Sequence, residues 1–129
     1  MTDPAHVTSP DASCVGELAQ LRDALRRFAT ERDWEQFHTP KNLAIALSVE
    51  ASELLEHFQW LTAEQSAAPD DETLARVREE LADVLLYLVR LADRLDVDLL
   101  AAARDKMALN ARKYPLDKAR GNSRKYTDL

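Results

Sequence analysis

Glycine is scarce in this chain, since only two of its 129 residues are glycine. The tight turns of an all-β fold rely on residues that accept a positive φ, mainly glycine, so such a fold is disfavoured. Alanine, leucine, arginine and glutamate are frequent instead, and all four favour helices. The sequence therefore predicts an all-α protein with one domain, because this length suffices for one core but hardly for two.

Cysteine, signal sequences and long apolar runs are also lacking. The single cysteine, Cys14, cannot form an internal disulfide and fits a reducing compartment. The first 13 residues have neither the basic nor the apolar region of a secretory signal. The longest wholly apolar run, residues 84–89, is far too short to span a bilayer. We expect a soluble cytoplasmic protein, and the net charge of −6 argues against nucleic acid or an anionic membrane as partners.

Apolar spacing and helix signals predict four main helices. We expect them at about residues 15–33, 41–60, 71–95 and 97–113, with Asp70 or Asp71 capping the third and Asp96 or Asp98 the fourth. Residues 34–41 break the pattern and are interpreted as a structured loop that enters the second helix near Pro40. We expect residues 1–13 to be a flexible tail, 14–115 the helical domain, and 116–129 a basic C-terminal tail.

Two acidic pairs interrupt the most apolar helical stretches: Glu50 with Glu53, and Glu80 with Asp83. Residues three apart lie on one helix face, with Cβ atoms about 5–6 Å apart. Glu50 and Glu80 fall within stripes of core spacing, where a carboxylate is costly to bury unless it is paired or binds a cation. The spacing alone is uninformative, because roughly four such pairs are expected by chance among 23 acidic residues and four are present. A metal site and ion-paired or exposed carboxylates both remain open.

The other side chains favour magnesium if a metal is bound. Mg²⁺ prefers oxygen ligands, and the three histidines and one cysteine have no zinc-site spacing. A Gly-rich phosphate loop is absent, and Ser48 and Ser52 have no identifiable base. Any catalysis by this chain is therefore expected to depend on a metal ion.

The run Glu50-Ala-Ser-Glu53, followed after 26 residues by Glu80-Leu-Ala-Asp83, resembles the E-x-x-E…E-x-x-D signature of the all-α NTP pyrophosphatases of the MazG superfamily. The segments WEQFHTPKNLAIAL, EASELLEHFQW, EELADVLLYLV and NARKYP, with the tail ARGNSRKYTDL, are similar to its dCTP pyrophosphatase branch. The resemblance spans about residues 17–129. It departs mildly at Ser52, where a smaller residue such as glycine is expected.

This resemblance implies an MazG-like four-helix bundle, in which the second and third helices are antiparallel and carry the site. It also implies Mg²⁺-dependent hydrolysis of dCTP, or a modified dCTP, to the monophosphate and pyrophosphate. The implied metal ligands are Glu50, Glu53, Glu80 and Asp83. Either Glu53 or Glu50 would orient or deprotonate the attacking water. Which glutamate does so, and how many ions bind, stay open.

The resemblance also implies a set of substrate-binding residues. The aromatic and amide side chains that would contact the base or sugar are Trp34, His38, Asn42, Trp60, Tyr87 and Asn110. The cationic and phenolic side chains that would contact the phosphates are Lys106, Lys113 and Tyr114. Each has a plainer alternative. The tryptophans are equally suited to anchoring a loop, His38 to local hydrogen bonding, and the lysines to a solvated surface. The basic tail would close over a pocket, dock on another subunit or remain without fixed structure.

Self-association is the last expectation. The third predicted helix is apolar all round, and the family resemblance implies dimers of dimers, so we expect a homotetramer with sites lined by more than one chain. Two rival functions stay open. One is a pyrophosphatase of other specificity, for dUTP or a broad range of nucleotides, and the other is a non-catalytic helical scaffold.

Overall fold

The computed structural model of the chain describes residues 16–129. The predicted N-terminal tail and Cys14 lie outside the described residues. Within residues 16–129 there are helices and no strands, which confirms the all-α prediction. The elements are α1 (Glu17–Glu31), α2 (Pro40–Glu56), α3 (Ala63–Ala67), α4 (Asp71–Arg94), α5 (Leu99–Lys113), α6 (Leu116–Ala119) and a 3₁₀ turn (Tyr126–Asp128).

Side-chain caps begin the helices at the places where the sequence signals them. The Thr39 hydroxyl accepts a hydrogen bond from the backbone N–H of Asn42 at 3.2 Å, and Pro40 fills the first helical position. Asp70 caps α4 by accepting from the Thr73 N–H at 2.7 Å. Asp98, not Asp96, caps α5. These caps fix where α2, α4 and α5 begin and hence the register of their side chains.

Two helices end earlier than the sequence predicts. The first was expected to reach Asp33, but it ends at Glu31, and Asp33 has a φ of 54°. The second was expected to reach Trp60, but α2 ends at Glu56. The backbone N–H of Phe58 then bonds the Leu55 carbonyl at 2.9 Å, so residues 57–60 form turns. The early end of α2 places His57 and Trp60 after this helix.

The described chain forms two compact units, residues 16–95 and 96–129. In the first, α2 packs against α4, and α1 also packs against α4. His57 follows the end of α2 and lies next to Glu80, whereas His38 precedes its start and bonds Arg90. Contacts that descend along α4 as they ascend along α2 make the two helices antiparallel, as the sequence predicts.

The first unit has a small core and a large exposed apolar surface. Its buried apolar side chains are those of Ala29, Leu43, Val77, Val89 and Ala92. By contrast, six large aliphatic side chains of α2 and α4 remain 43–59% exposed: Ile45, Val49, Leu55, Leu74, Leu81 and Leu85. The sequence predicts that residues 84–89 are buried on every side. Within one chain Val89 is buried, but Leu85 is 43% exposed.

The second unit contains α5 and the C-terminal tail. The Tyr126 ring meets the Tyr114 ring edge-on, with centroids 6.0 Å apart. The Lys113 ammonium lies 4.7 Å from the centre of the same Tyr126 ring, within cation–π range. The tail is therefore held against the end of α5 by an aromatic contact. Separately, none of the helices described is both long enough and apolar enough to cross a membrane.

Candidate metal centre

Three carboxylates converge where α2 crosses α4. Glu50 of α2 and both Glu80 and Asp83 of α4 each offer one oxygen atom, and these oxygens all lie within 4.8 Å of one another. Glu80 and Asp83 share a face because they are three residues apart, and the antiparallel packing brings Glu50 to the same point. An octahedral Mg²⁺ with oxygens at about 2.1 Å holds opposite ligands about 4.2 Å apart. A small inward side-chain movement would thus place all three on one ion.

Two of these carboxylates have a buried oxygen without a hydrogen-bond partner among the described residues. They are Oε2 of Glu50 and Oε2 of Glu80. A buried polar atom left without a partner costs about 1–3 kcal/mol, and more when it is charged. A cation bound between the carboxylates would satisfy both oxygens. The all-oxygen donor set fits a hard ion such as Mg²⁺ rather than zinc.

Glu50 has the most strongly altered acidity in the cluster. Burial is the main cause that raises the pKa of Glu50 from 4.5 to about 7, and the hydrogen bond and charge of Glu53 come next. Asp83 and Glu80 raise this pKa further. Burial, together with the neighbouring carboxylates, therefore leaves Glu50 partly protonated near neutrality. A divalent cation would replace that proton and remove the repulsion.

Glu53 and His57 flank the three converging carboxylates. Glu53 lies outside the set of three, although it is close enough to Glu50 to raise its pKa. His57 Nε2 lies 3.6 Å from Glu80 Oε1. His57 is not among the residues predicted from sequence, although it directly follows α2 and lies two helical turns after Glu50, on the same helix face. The arrangement leaves Glu53 next to the candidate ion rather than among its converging ligands.

The loop before α2 holds two of the predicted base-contacting residues. The rings of Trp34 and His38 meet edge-on with centroids 6.2 Å apart, and Trp34 also meets Phe28 at 5.7 Å. The Asn42 side-chain amide donates to the Phe37 carbonyl at 2.9 Å, so Asn42 holds this loop to the start of α2. The loop therefore has a defined shape that fixes where Trp34 and His38 lie.

Arg90 and Arg94 of α4 secure His38. Arg90 Nε donates to His38 Nδ1 at 3.1 Å, and Arg94 Nε donates to the His38 carbonyl at 3.1 Å. Arg90 is not among the residues predicted from sequence. The available signal was its position seven residues after Asp83, which places it on the acidic face of α4.

The other predicted substrate residues are more dispersed. Trp60 follows the end of α2 and is 87% exposed, and Tyr87 is half-buried on α4. Lys106, Asn110, Lys113 and Tyr114 all belong to the second unit, on α5 or directly after it. Of these, Lys113 and Tyr114 are engaged with Tyr126. The first unit thus contains both the acidic cluster and, further along α4 at Arg90, the loop of Trp34 and His38.

Known proteins with similar sequences and structures identify the family of this chain. The model of the MazG-like family matches residues 45–129. A dCTP pyrophosphatase 1 from Homo sapiens is 50% identical over 116 residues, which cover 87% of this chain and 67% of that protein. Its counterpart from Bos taurus is 48% identical over 114 residues, which cover 87% and 68%. A crystal structure of a pyrophosphatase from Archaeoglobus fulgidus matches with a TM-score of 0.71 and 39% identity, over 86% of this chain and 98% of that one. Since relatives at this identity match along most of their length and the acidic cluster lies inside the matched region, the chain belongs to the MazG-like family.

Proposed function

We propose that this protein is a nucleoside triphosphate pyrophosphatase that hydrolyses dCTP to dCMP and pyrophosphate with Mg²⁺ held by Glu50, Glu80 and Asp83. The proposal rests on the convergence of three carboxylate oxygens. Two of the three residues, Glu50 and Glu80, also have a buried oxygen with no hydrogen-bond partner among the described residues. The names of the similar curated proteins, dCTP pyrophosphatase 1, support the substrate. A protein with a net charge of −6 would otherwise repel a triphosphate.

The chemistry divides between the ion and the chain. When bound, Mg²⁺ would neutralise the charge that builds up on the phosphates and orient the triphosphate. Glu53 is the best placed carboxylate to accept a proton from the attacking water, because it adjoins the cluster without belonging to the converging set. Water would then attack phosphorus, and pyrophosphate would leave with the electron pair of the broken P–O bond.

The base would lie at the end of α4 where the loop of Trp34 and His38 packs. Arg90, which contacts His38, lies seven residues after Asp83, a rise of about 10 Å along the helix. An extended nucleotide bridges such a distance between its phosphates and its base. The ring of Trp34 would supply a stacking surface, and His38 a polar contact.

We also propose a homotetramer, as the sequence predicts, with active sites completed by a second chain. The support is the set of half-exposed aliphatic side chains along α2 and α4, because an apolar face of this kind is typical of surfaces that are covered by another chain. Trp60, which is 87% exposed, would find a partner in such an assembly. Light scattering coupled to gel filtration tests this proposal, and a monomer at micromolar concentration would contradict it. The cytoplasmic location and the absence of nucleic acid and membrane partners stay predictions.

A product assay over a panel of nucleotides tests the activity. The protein is incubated with dCTP, dUTP, dTTP and ATP, with Mg²⁺ or with EDTA, and the products are separated by ion-exchange chromatography. We expect dCMP and pyrophosphate from dCTP, and no reaction in EDTA. Release of orthophosphate, or no release from any triphosphate, would contradict the proposal.

Paired glutamine variants on α4 separate the site from the general charge of the helix. Glu80→Gln removes a converging carboxylate, whereas Glu79→Gln makes the same change on its exposed neighbour. We expect Glu80→Gln to lower kcat/KM by at least about a hundredfold, since metal-site groups act on the transition state. Glu79→Gln should keep the wild-type value. Equal activity of the two variants would exclude Glu80 from the site.

A further inference from the structure

Arg90 is a buried arginine within the apolar part of α4. Arg90 is 4% exposed, and its guanidinium donates hydrogen bonds to His38 in the loop before α2 and to Asp93 in α4. Nε donates to His38 Nδ1 at 3.1 Å, and Nη1 donates to Asp93 Oδ2 at 3.3 Å. Nη2 is buried and has no acceptor among the described residues. The guanidinium therefore bonds His38 and Asp93 and has one nitrogen, Nη2, without a partner among the described residues.

The contact with Arg90 determines the form of the His38 imidazole. A guanidinium only donates hydrogen bonds, so His38 Nδ1 has to be the acceptor. The single proton of the neutral ring is then on Nε2. A doubly protonated ring would set an N–H group against the Arg90 N–H and lose the bond. His38 is thereby held in one of its two neutral tautomers.

The charges around His38 favour the same neutral ring. Burial lowers the pKa of His38, and the positive charges of Arg90 and Arg94 lower it further. Glu35 acts in the opposite direction but is the weakest of these influences. The ring of Trp34, which meets His38 edge-on, adds no charge. His38 therefore presents a donor without a charge at neutral pH.

We propose that Arg90 is a positioning residue for nucleotide recognition: by donating to Nδ1 of His38, it fixes the Nε2–H tautomer and gives the site a single neutral donor for the base. This inference rests on the proposed function, in which His38 faces the nucleobase. A fixed donor favours a base edge that carries a hydrogen-bond acceptor, such as N3 or O2 of cytosine. It rejects an edge that presents an N–H at that position, because two donors would face each other.

Arg90 is poorly explained as a stabilising residue. Replacing buried charged groups with apolar side chains of similar volume is often neutral or stabilising. Asp93 would keep a partner without Arg90, because Arg26 donates to both of its carboxylate oxygens. Removing Arg90 would also remove the unpartnered Nη2. We therefore expect Arg90→Met to unfold at or above the wild-type temperature, and failure of this variant to fold would overturn the proposal in favour of a structural role.

Long-range ¹H–¹⁵N NMR of the full chain reads the tautomer directly, with His38→Gln identifying the His38 signals. In the wild type we expect a protonated Nε2 and an unprotonated Nδ1 at neutral and mildly alkaline pH. In Arg90→Met we expect mixed tautomers and a His38 pKa above that of the wild type, because burial and Arg94 still lower the pKa but Arg90 no longer does. Arg90→Lys, which keeps a donor and a charge, should restore at least part of the wild-type pattern. Arg76→Met, which removes an exposed arginine paired with Glu72 on the same helix, is the control and should change nothing.

Kinetics with dCTP then test the recognition role. We expect Arg90→Met to raise KM about 3–10-fold while kcat stays within about twofold, since one fixed hydrogen bond is lost and the metal centre is untouched. An unaltered His38 pattern in Arg90→Met would overturn the inference even if dCTP hydrolysis is confirmed. An altered pattern with an unchanged KM would overturn the recognition role. If the wild type hydrolyses no triphosphate, the proposed function fails and the recognition role fails with it, whereas the NMR result still reports whether Arg90 controls the tautomer.

Discussion

Binding of Mg²⁺ to the acidic cluster should release a proton, because Glu50 holds one near neutrality. Its pKa is raised to about 7, mainly by burial. The cation needs the ionised carboxylate, so metal and proton compete for the same group. Lowering the pH should therefore weaken Mg²⁺ binding, and the size of the effect follows from the pKa.

The expected change is about tenfold between pH 8 and pH 6. With a pKa of about 7, Glu50 is about ten-elevenths ionised at pH 8 and about one-eleventh ionised at pH 6. The apparent affinity for Mg²⁺ scales with the ionised fraction. The loss corresponds to about 1.4 kcal/mol, and above pH 8 the affinity should level off.

Isothermal titration calorimetry measures both the affinity and the proton release. Titrations with MgCl₂ at pH 6 are repeated in buffers with different ionisation enthalpies, and the slope of the heat against that enthalpy counts the protons. We expect about nine-tenths of a proton released for each ion bound at pH 6, and about one-tenth at pH 8. An affinity that does not change with pH, together with no proton release at pH 6, would refute this reasoning.

The Glu50→Gln variant isolates the contribution of this group. Glutamine removes the proton as well as the charge, so any remaining Mg²⁺ binding should lose most of its pH dependence between 6 and 8. The exposed Glu79→Gln change on α4 is the control and should keep the full dependence. If Glu50→Gln retained the tenfold change, another group would have to carry the proton.

Three further predictions concern stability. Because the folded-state pKa of Glu50 is raised from 4.5 to about 7, its stabilising contribution is complete below about pH 4.5 and is lost as the pH rises through 7, so thermal melts in EDTA should show a fall over this window that Glu50→Gln lacks. The hydrogen bond from Arg26 is the main cause that lowers the pKa of Asp93, so this contribution is present at neutral pH and lost as the pH falls through the folded-state pKa; Asp93→Asn should lose about 1.5–3 kcal/mol in urea unfolding at pH 7 and progressively less in acid. Leu43, which is 2% exposed, should cost about 2–5 kcal/mol when replaced by alanine, and a loss below 1 kcal/mol would show that the surroundings collapse into the space.

The helix starts were predictable from sequence, whereas two helix ends were not. Thr39 with Pro40, and the capping aspartates, are local signals that act through the next three residues. The end of α2 at Glu56 has no such signal, since neither proline nor glycine occurs in residues 57–60. His57, Phe58 and Trp60 are only moderate helix formers, so local propensity permits either a further helical turn or the turns observed there.

The same distinction applies to the metal centre. The three-residue spacing of Glu80 and Asp83 predicts a shared face, and the antiparallel packing then adds Glu50. Glu53 has the same spacing from Glu50, yet it lies outside the converging set. Three residues turn a helix by about 300°, so the two side chains diverge by about 60°, and only the position of the opposite helix determines which one meets it. Sequence spacing therefore predicts the four candidate carboxylates but not which three of them converge.

The electrostatic difference between the two ends of the proposed site bears on how a nucleotide would be oriented. At one end, mutually repelling carboxylates require a cation before they can approach phosphate. At the other end, the charges acting on Arg90 are those of two arginines, Arg26 and Arg94, and of two carboxylates, Asp93 and Glu35. With Arg90 itself, this leaves one excess positive charge, which an unpaired phosphate would seek. Because two of the three arginines are bound to Asp93 and His38 is kept neutral, this single excess charge attracts phosphate less strongly than a bound divalent cation would. The triphosphate then has a reason to bind at the Mg²⁺ end and the base at His38, and charging His38 would weaken that preference by making the base end attractive to phosphate.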